Sequence, residues 1–226
     1  MYLRKREEYG AGKWSSLMSL EILVVDDSAL LRRVECDIIN SDNKFKVTDT
    51  CKDGLEALEK LRTKKYDGVV LDINMPRMDG LELLQQLQKE KIKANIVMAS
   101  TLTVEGANEA IKSLELGAID FVTKPSNIIE AKGDAFKKAL LDVLYAATKA
   151  RVHFKKPSLV VAADKTAAAS VNRLKKPGQN KIIAIASSTG GPKALQSVIP
   201  KIPADIDAPV VLVQHMPAGF TRSMAA

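Results

Sequence analysis

The 226-residue sequence has few aromatic residues, two cysteines and no long hydrophobic run. Only 4% of the residues are aromatic, so the protein's cores must be built mainly from aliphatic side chains. The longest apolar runs, such as Ile182–Ala186, have the length of a strand and are far too short to span a bilayer. The charged first residues lack the apolar region of a secretory signal. We therefore predict no direct membrane insertion.

The two cysteines, Cys36 and Cys51, lie in apolar surroundings and do not have the spacing of a metal site. We expect both to be buried, reduced thiols, which favours a cytoplasmic protein. Hydrophobic residues make up 46% of the chain and charged residues 27%, which is typical of a globular protein rather than a disordered one.

The net charge of +7 is concentrated in one segment. Between Lys149 and Lys181 there are nine basic residues and one acidic residue, Asp164. A solvated linker explains this segment better than a DNA-reading surface does, because no helix-turn-helix pattern with base-reading side chains accompanies it. We therefore expect no nucleic acid partner, and a DNA-binding regulator remains the least favoured hypothesis.

The pattern of apolar residues divides the chain into four regions. Residues 1–19 lack periodicity and are predicted to be a disordered N-terminal extension, with Met18 as an alternative start. Strands and helices alternate over residues 20–148, and residues 149–180 form the basic linker. The alternation restarts at residues 181–226, a segment of only 46 residues, so we expect it to be a truncated second domain.

Five predicted strands alternate with five predicted helices in the first domain. The strands lie at residues 22–25, 45–51, 69–72, 95–100 and 119–123. Ser28 can cap the first helix, and the second helix is predicted to have Leu55, Leu58 and Leu61 on one apolar face. One long final helix is predicted to reach Thr148. This alternation is typical of a flavodoxin-like, doubly wound parallel sheet with strand order 2-1-3-4-5. The second segment is predicted to be an incomplete α/β, Rossmann-like domain with strands at 182–186 and 210–214.

The most informative stretch is the third strand, whose apolar run ends in Asp72. A lone aspartate at that place is more often an ordinary turn residue. However, other strands of the same domain also end in reactive side chains, namely Asp26, Asp27, Ser100 and Lys124. The predicted strand order brings the three carboxylates together, and a hard divalent cation such as Mg²⁺ would relieve their mutual repulsion. Asp72 could then act as a nucleophile towards phosphorus.

This set of residues resembles the receiver domain of bacterial two-component response regulators over residues 20–148. The motifs that carry the resemblance are Asp26-Asp27, Leu71–Pro76, Asp79-Gly80, Ser100 and Lys124-Pro125. The resemblance implies that Asp72 is the phosphorylated residue. It implies that Mg²⁺ is held by Asp26, Asp27, Asp72 and the backbone carbonyl of Asn74.

The same resemblance makes Ser100 and Phe121 a switch pair that responds to phosphorylation together with Lys124. Many receivers have tyrosine where Phe121 stands, and simple buried packing explains a phenylalanine there equally well. The resemblance also implies a cis peptide bond between Lys124 and Pro125.

In the second segment, Ser188 lies between a predicted strand and a predicted helix. The N–H groups of Thr189, Gly190 and Gly191 are placed to stabilise an oxyanion, although such a turn more often binds an anion or caps a helix. His215 ends the next strand at the same sheet edge and could act as a general base. The surrounding residues do not match the G-x-S-x-G nucleophile elbow.

The order of receiver, basic linker and these two motifs resembles the CheB-type chemotaxis protein-glutamate methylesterases. The matching motifs are Ile185–Pro192 and Gln214–Pro217, although the family usually has Gly-Ala where Ala186-Ser187 stand here. The resemblance makes Ser188 the nucleophile and His215 the general base, with no cofactor for the esterase. It implies hydrolysis of glutamate methyl esters, and deamidation of glutamine, on methyl-accepting chemoreceptors. Phosphorylation of Asp72 by the chemotaxis histidine kinase would relieve occlusion of the esterase by the receiver.

One departure from the family puts the enzyme in doubt. The third residue of the family's triad is an aspartate in a Gly-Asp-Gly segment, which does not occur in these 226 residues. Asp205 and Asp207 precede the last strand, at the opposite sheet edge from Ser188, so neither can replace it. Loss of such an aspartate lowers kcat by about 10⁴ in serine proteases. We expect feeble activity at most, and the alternative is a phospho-accepting or partner-binding receiver with a non-functional output domain.

Overall fold

The computed structural model describes residues 19–100, 103–149, 181–217 and 220–225. The predicted N-terminal extension and the predicted basic linker lie outside these ranges, apart from their boundary residues 19 and 149. Among the described residues, no helix is long and apolar enough to cross a membrane.

Five parallel strands form the sheet of the first domain. They are β1 (Leu20–Val25), β2 (Phe45–Cys51), β3 (Gly68–Asp72), β4 (Ile96–Ser100) and β5 (Asp120–Thr123). Their order is β2-β1-β3-β4-β5, which confirms the prediction. Every residue of β3 and β4 is buried, as expected for central strands of a parallel sheet that is covered on both faces.

Within the described residues of the first domain, six helices flank the sheet. They are α1 (Ala29–Asn40), α2 (Gly54–Thr63), α3 (Gly80–Glu90), α4 (Val104–Glu115), α5 (Ile128–Ala131) and α6 (Asp134–Lys149). Ser28 caps α1 as predicted, because its side chain accepts a hydrogen bond from the N–H of Leu31. Asp79 forms a reciprocal capping box with Glu82 at the start of α3, directly after the loop that carries Asp72.

Alternate residues of each strand enter different cores, which makes a three-layer domain. Leu23 and Leu71 pack under α2, α3 and α4, whereas Val24 and Val70 pack under α1 and α6. Because β1 and β3 are neighbours within this double-sided core, the residues that follow them are held on rigid backbone.

The structure corrects three local predictions. The final helix is not continuous, since the short α5 ends at Ala131 and α6 begins at Asp134, with the flexible Gly133 between them. Leu55 was predicted to share the buried face of α2, but it is 39% exposed because that face is centred on Ala57 and Leu58. Cys51 is buried as predicted, whereas Cys36 is only half-buried.

The second segment forms a two-stranded parallel sheet of β6 (Ile183–Ser187) and β7 (Val210–Gln214). It also contains α7 (Gly191–Val198), a turn of 3₁₀ helix at Ile199–Lys201, and α8 (Phe220–Ala225), which the sequence pattern did not predict. The sheet is poorly covered, and Val213 within β7 is 62% exposed. A partial second α/β domain fits this arrangement.

Candidate functional site

Three carboxylates meet at the carboxyl edge of the first sheet. Asp26 and Asp27 follow β1, and Asp72 is the last residue of the adjacent strand β3. One oxygen of each carboxylate lies within 4.8 Å of the others. Asp26 and Asp72 are buried, whereas Asp27 is exposed at the rim. The parallel topology therefore brings together the three aspartates that the sequence predicted to converge.

Lys124 bridges the two buried carboxylates from the end of β5. Its Nζ lies 2.6 Å from Asp26 Oδ2 and 2.7 Å from Asp72 Oδ2. Lys124 itself is 8% exposed, so these contacts are shielded from water and strengthened by the low local dielectric. The predicted cis bond before Pro125 is wrong: no peptide bond among the described residues is cis. Trans is the intrinsically preferred isomer of an X-Pro bond, favoured by about 0.5–1 kcal/mol.

The electrostatics of the pocket reflect competition between burial and charge. Burial raises the pKa of Asp72 to about 6, although Lys124 acts in the opposite direction. Burial alone would lower the pKa of Lys124, but the two carboxylates beside it raise that pKa above its usual value. Lys124 is therefore held as a cation against two anionic partners.

These residues fit a hard divalent cation. Three carboxylates face one another with a single ammonium between two of them, so negative charge remains to be balanced. Carboxylate oxygens are also the ligands that Mg²⁺ prefers. Asn74 lies in the loop after β3, and its side-chain amide donates to Glu109 Oε2 on α4 at 3.4 Å. The role of the Asn74 carbonyl as a fourth ligand stays a prediction.

The predicted switch residues Ser100 and Phe121 lie on the next two strands, β4 and β5. Ser100 ends β4, and its buried hydroxyl donates to the carbonyl of Gly106 in α4 at 2.7 Å. Phe121 is 6% exposed, and its ring stacks on Phe220 of α8 with 4.8 Å between the ring centroids. Packing is thus observed for Phe121, and its switch role stays a prediction.

The sequence reasoning missed one buried acid near this site, Glu35 on α1. Burial raises its pKa to about 8, and the negative charge of Asp26 acts in the same direction. Its Oε2 atom is buried and has no hydrogen-bond partner among the described residues. The signal was present in the sequence, because Glu35 shares the apolar stripe of Leu31, Val34 and Ile38.

Ser188 and His215 follow the carboxyl ends of β6 and β7, as predicted. Their contact is loose, since Ser188 Oγ lies 3.5 Å from His215 Nδ1 and both residues are exposed. The N–H of His215 donates to the Ser187 carbonyl at 3.0 Å and so fixes the two loops side by side. Ser188 and His215 thus occupy the positions expected of a nucleophile and its general base, but the distance between them is longer than the hydrogen bond of such a pair.

Gln214 was not assigned a role from the sequence, although it stands directly before His215. Its side-chain oxygen accepts from the hydroxyl of Ser187 at 2.5 Å. Its amide nitrogen donates to the carbonyls of Ser188 and His215, at 3.1 and 2.8 Å. Gln214 therefore ties together the two loops that carry the reactive side chains.

The backbone N–H groups that were predicted to stabilise an oxyanion are only partly available. The N–H of Gly191 donates to the Ser188 carbonyl at 2.7 Å, so it is engaged within the turn. The N–H of Gly190 donates to Asp120 Oδ2 of the first domain at 2.6 Å. Thr189 is exposed. Of the three N–H groups predicted to stabilise an oxyanion, two are therefore occupied.

No carboxylate hydrogen-bonds to the His215 ring in the parts of the chain that the structure describes. Asp205 and Asp207 lie between the 3₁₀ turn and the amino end of β7. Because β6 and β7 are parallel, that end is opposite to the one that carries Ser188 and His215. The prediction that neither aspartate completes a triad is consistent with this topology.

Comparison with known proteins gives two family matches. The family described as "Response regulator receiver domain" matches residues 22–132, and the one described as "CheB methylesterase" matches residues 183–226. The two matches coincide with the two sheets.

Curated relatives match most of the length of this chain. A protein-glutamate methylesterase/protein-glutamine glutaminase of Syntrophomonas wolfei is 42% identical over 209 residues, which are 91% of this chain and 58% of the relative. The protein of the same name from Bacillus subtilis is 40% identical over 210 residues, with 91% and 58% coverage. This chain thus spans a little more than half the length of the curated relatives it matches.

A solved structure agrees with the first domain. The response regulator domain of Thermotoga maritima CheB is 38% identical, with a TM-score of 0.51. The match covers 59% of this chain and 99% of that domain.

Proposed function

We propose that this chain is a CheB-type chemotaxis response regulator, a receiver phosphorylated on Asp72 that controls the hydrolysis of glutamate methyl esters on chemoreceptors. The observation that carries the proposal is the buried arrangement of Asp26, Asp72 and Lys124. The proposed partners of this chain are a chemotaxis histidine kinase and, as substrates, methyl-accepting chemoreceptors, with no nucleic acid. Its proposed location is the cytoplasm.

The proposed chemistry at Asp72 is transfer of a phosphoryl group to its carboxylate. One oxygen of Asp72 attacks phosphorus, and the bond that breaks joins phosphorus to the ring nitrogen of the kinase histidine or, with a small acyl phosphate, to the oxygen of the departing carboxylate. Lys124 is placed to pair with the incoming phosphoryl oxygens, since its ammonium already contacts Asp72. Asp26, Asp27 and Asp72 would hold Mg²⁺, which when bound neutralises phosphoryl charge.

The proposed esterase chemistry takes place at Ser188. Its hydroxyl attacks the ester carbonyl of a methylated glutamate, His215 accepts the proton, and methanol leaves. Water then releases the carboxylate product and regenerates Ser188, and deamidation of glutamine follows the same course with ammonia as the leaving group. The 3.5 Å contact between Ser188 and His215 is longer than a catalytic hydrogen bond, although such contacts are often loose without substrate.

We propose that this chain is a weak esterase at most. His215 has no hydrogen-bonded carboxylate among the described residues to fix its tautomer. The supporting sheet has two strands with exposed faces. The alternative function is a receiver that accepts phosphate and binds partners without esterase output. It is favoured because the Asp72 site is buried with close contacts, whereas Ser188 and His215 are exposed and 3.5 Å apart.

Two assays test the proposal. With acetyl phosphate and Mg²⁺, the chain should take up phosphate and the Asp72→Asn variant should not, whereas Asp142→Asn, on the exposed face of α6, should behave as wild type. Uptake by Asp72→Asn equal to wild type would refute the receiver function.

The second assay measures methanol release from a methylated chemoreceptor. Release that Ser188→Ala abolishes supports the esterase. Phosphate uptake without any methanol release supports the receiver-only alternative.

A further inference from the structure

We propose that Arg77 is a positioning residue for the phosphorylation site, because it holds the loop between β3 and α3 in the conformation that presents Asp72 and Asn74. This role deepens the proposed phosphorylation of Asp72 and rests on it for its functional meaning. Arg77 lies in the middle of that loop, directly after Pro76, and the sequence reasoning gave it no role.

The backbone at Arg77 is strained. Its φ is 67°, in the left-handed region that residues with a side chain seldom adopt. The N–H of Met78 donates to the carbonyl of Pro76 at 2.8 Å, so Arg77 is the central residue of a γ-turn. A γ-turn with positive φ at its centre is rare, and such strain persists only where the surrounding structure fixes it. Lys91, which also has a positive φ, is by contrast an ordinary left-handed cap at the end of α3.

The side chain of Arg77 ties this turn to the start of α2. Its Nη2 atom forms an ion pair with Oδ2 of Asp53 and lies 3.4 Å from Oε1 of Glu56. Asp53 is fully buried, and its other oxygen, Oδ1, caps α2 by accepting from the N–H of Glu56 at 3.0 Å. Arg77 therefore balances the charge of a carboxylate that has been withdrawn from water.

Backbone hydrogen bonds hold the same loop at its tip and at its base. At the tip, the N–H of Gly54, the first residue of α2, donates to the carbonyl of Met78 at 3.1 Å. A Cβ on Gly54 would lie 2.7 Å from that carbonyl oxygen, so the close approach of loop and helix requires glycine. At the base, the N–H of Gly80 donates to the carbonyl of Ile73 at 2.8 Å. Arg77 thus secures the tip of a loop whose base is closed by its own backbone.

The conformation of this loop matters because it carries groups of the phosphorylation site. Asp72 ends β3 where the loop begins, and the predicted carbonyl ligand of Mg²⁺, that of Asn74, belongs to the loop itself. Residues that orient metal ligands without touching the metal commonly change metal affinity by about 10- to 100-fold when they are removed. Loss of the Arg77 ion pairs should therefore let the loop relax and weaken Mg²⁺ binding.

The first test compares two arginine variants of the full chain by Mg²⁺ titration, followed by NMR at the Asn74 amide. Arg77→Met should raise the Kd for Mg²⁺ about tenfold. Arg62→Met is the matched control, because Arg62 is about as exposed as Arg77 and its ion pair with Glu90 joins the far ends of α2 and α3. The control should bind Mg²⁺ as wild type does. A Kd for Arg77→Met equal to that of wild type would overturn the proposal.

Asp53→Asn separates positioning from a general loss of folding. Asparagine caps a helix as well as aspartate does, so α2 keeps its cap while Arg77 loses its charged partner. The Kd should rise as in Arg77→Met, and the double variant should bind no more weakly than the weaker single variant, because both changes remove one contact. Arg77→Lys should recover part of the affinity, since an ammonium can still pair with Asp53. Additive losses in the double variant would contradict the coupling of these two residues.

Hydrogen exchange in the metal-free chain measures the loop without reference to Mg²⁺. The N–H groups of Met78 and Gly54 should exchange about tenfold faster in Arg77→Met, as expected for a local opening after loss of a charge-assisted hydrogen bond. Arg62→Met should leave both rates unchanged. Rates in Arg77→Met equal to those of wild type would show that the ion pairs do not hold the turn.

Phosphate uptake from acetyl phosphate separates this inference from the proposed function. If wild type takes up no phosphate while Arg77→Met still weakens Mg²⁺ binding, phosphorylation of Asp72 is wrong and the positioning of the metal ligands by Arg77 stands. If wild type and Arg77→Met take up phosphate at the same rate and bind Mg²⁺ equally, the inference is wrong and the proposed function stands. A wild-type chain that binds no Mg²⁺ would overturn both.

Discussion

The two sites of this protein lie at equivalent sheet edges but differ in how they are supported. Around Asp72, a buried lysine lies 2.6 and 2.7 Å from two carboxylates, on strands with neighbours at both sides. Around Ser188, the reactive pair is 3.5 Å apart, exposed, and supported by a sheet of two strands. The parallel topology is therefore sufficient to bring the side chains of each site to one sheet edge. Short contacts between those side chains are found only at the site whose strands are buried in a packed core.

The receiver half is the better formed of the two. A catalytic pair must be held within about 0.5 Å of its productive geometry, and that takes a packed supporting shell. The Asp72 site has such a shell in its double-sided core. The Ser188 site has Gln214 and one backbone hydrogen bond between its loops.

The largest expected effect comes from removing the central cation. Lys124→Met leaves Asp26 and Asp72 buried without their counter-ion, which should lower the free energy of unfolding by about 3–5 kcal/mol. Urea denaturation measures the loss. Lys89→Met, on the exposed face of α3, should change stability by less than about 0.5 kcal/mol, and equal losses in the two variants would contradict a buried, charge-coupled site.

A matched pair of glycines compares the two halves directly, since each is the first residue of the helix that follows its site. A Cβ on Gly80 would collide with the backbone oxygen of Asp72, which cannot move without shifting β3. A Cβ on Gly191 would instead meet side-chain atoms of Gln214 and Ser187, which belong to the second segment and not to the receiver. Gly80→Ala should therefore cost about 2–3 kcal/mol in receiver stability.

Gly191→Ala should leave the receiver's unfolding transition nearly unchanged and alter only the second segment. Urea denaturation followed by circular dichroism measures both variants. A larger loss for Gly191→Ala than for Gly80→Ala would show that the second segment, not the receiver, dominates stability.

A smaller effect is expected from the ionisation of Glu35, which makes the free energy of unfolding depend on pH. Its pKa is about 8 in the folded protein against 4.5 ordinarily. Between these values the unfolded chain has lost the proton that the folded chain keeps, so this group's contribution is fully present below pH 4.5 and declines as pH rises towards 8.

Glu35→Gln should remove that decline. The free energy of unfolding should therefore fall more between pH 5 and pH 8 for wild type than for this variant. The exposed control Glu59→Gln should show the same fall as wild type. Parallel profiles for wild type and Glu35→Gln would show that Glu35 is ionised in the folded protein.

Part of this structure was predictable because it depends on local pattern and topology. The apolar strands give the order β2-β1-β3-β4-β5, and that order places Asp26, Asp72 and Lys124 at one edge. The capping of α1 by Ser28 also follows from local sequence.

The rest depends on contacts between distant parts of the chain. The Asp120 to Gly190 hydrogen bond joins residues 70 positions apart, and no periodicity encodes it. The bridging role of Gln214 depends on the register of β6 against β7. The break between α5 and α6 at Gly133 interrupts a helical pattern that continues on both sides of it. The Lys124–Pro125 bond takes the intrinsically preferred trans form, although the resemblance implied a cis bond.

The most direct test of the central claim is the position of the phosphoryl group. The chain is incubated with acetyl phosphate and Mg²⁺, treated with borohydride, which reduces an aspartyl phosphate to homoserine, and digested for mass spectrometry. The complete Asp72 site predicts homoserine at position 72 and at no other aspartate. Homoserine at Asp26 or Asp27, or labelling that persists elsewhere in Asp72→Asn, would contradict the account.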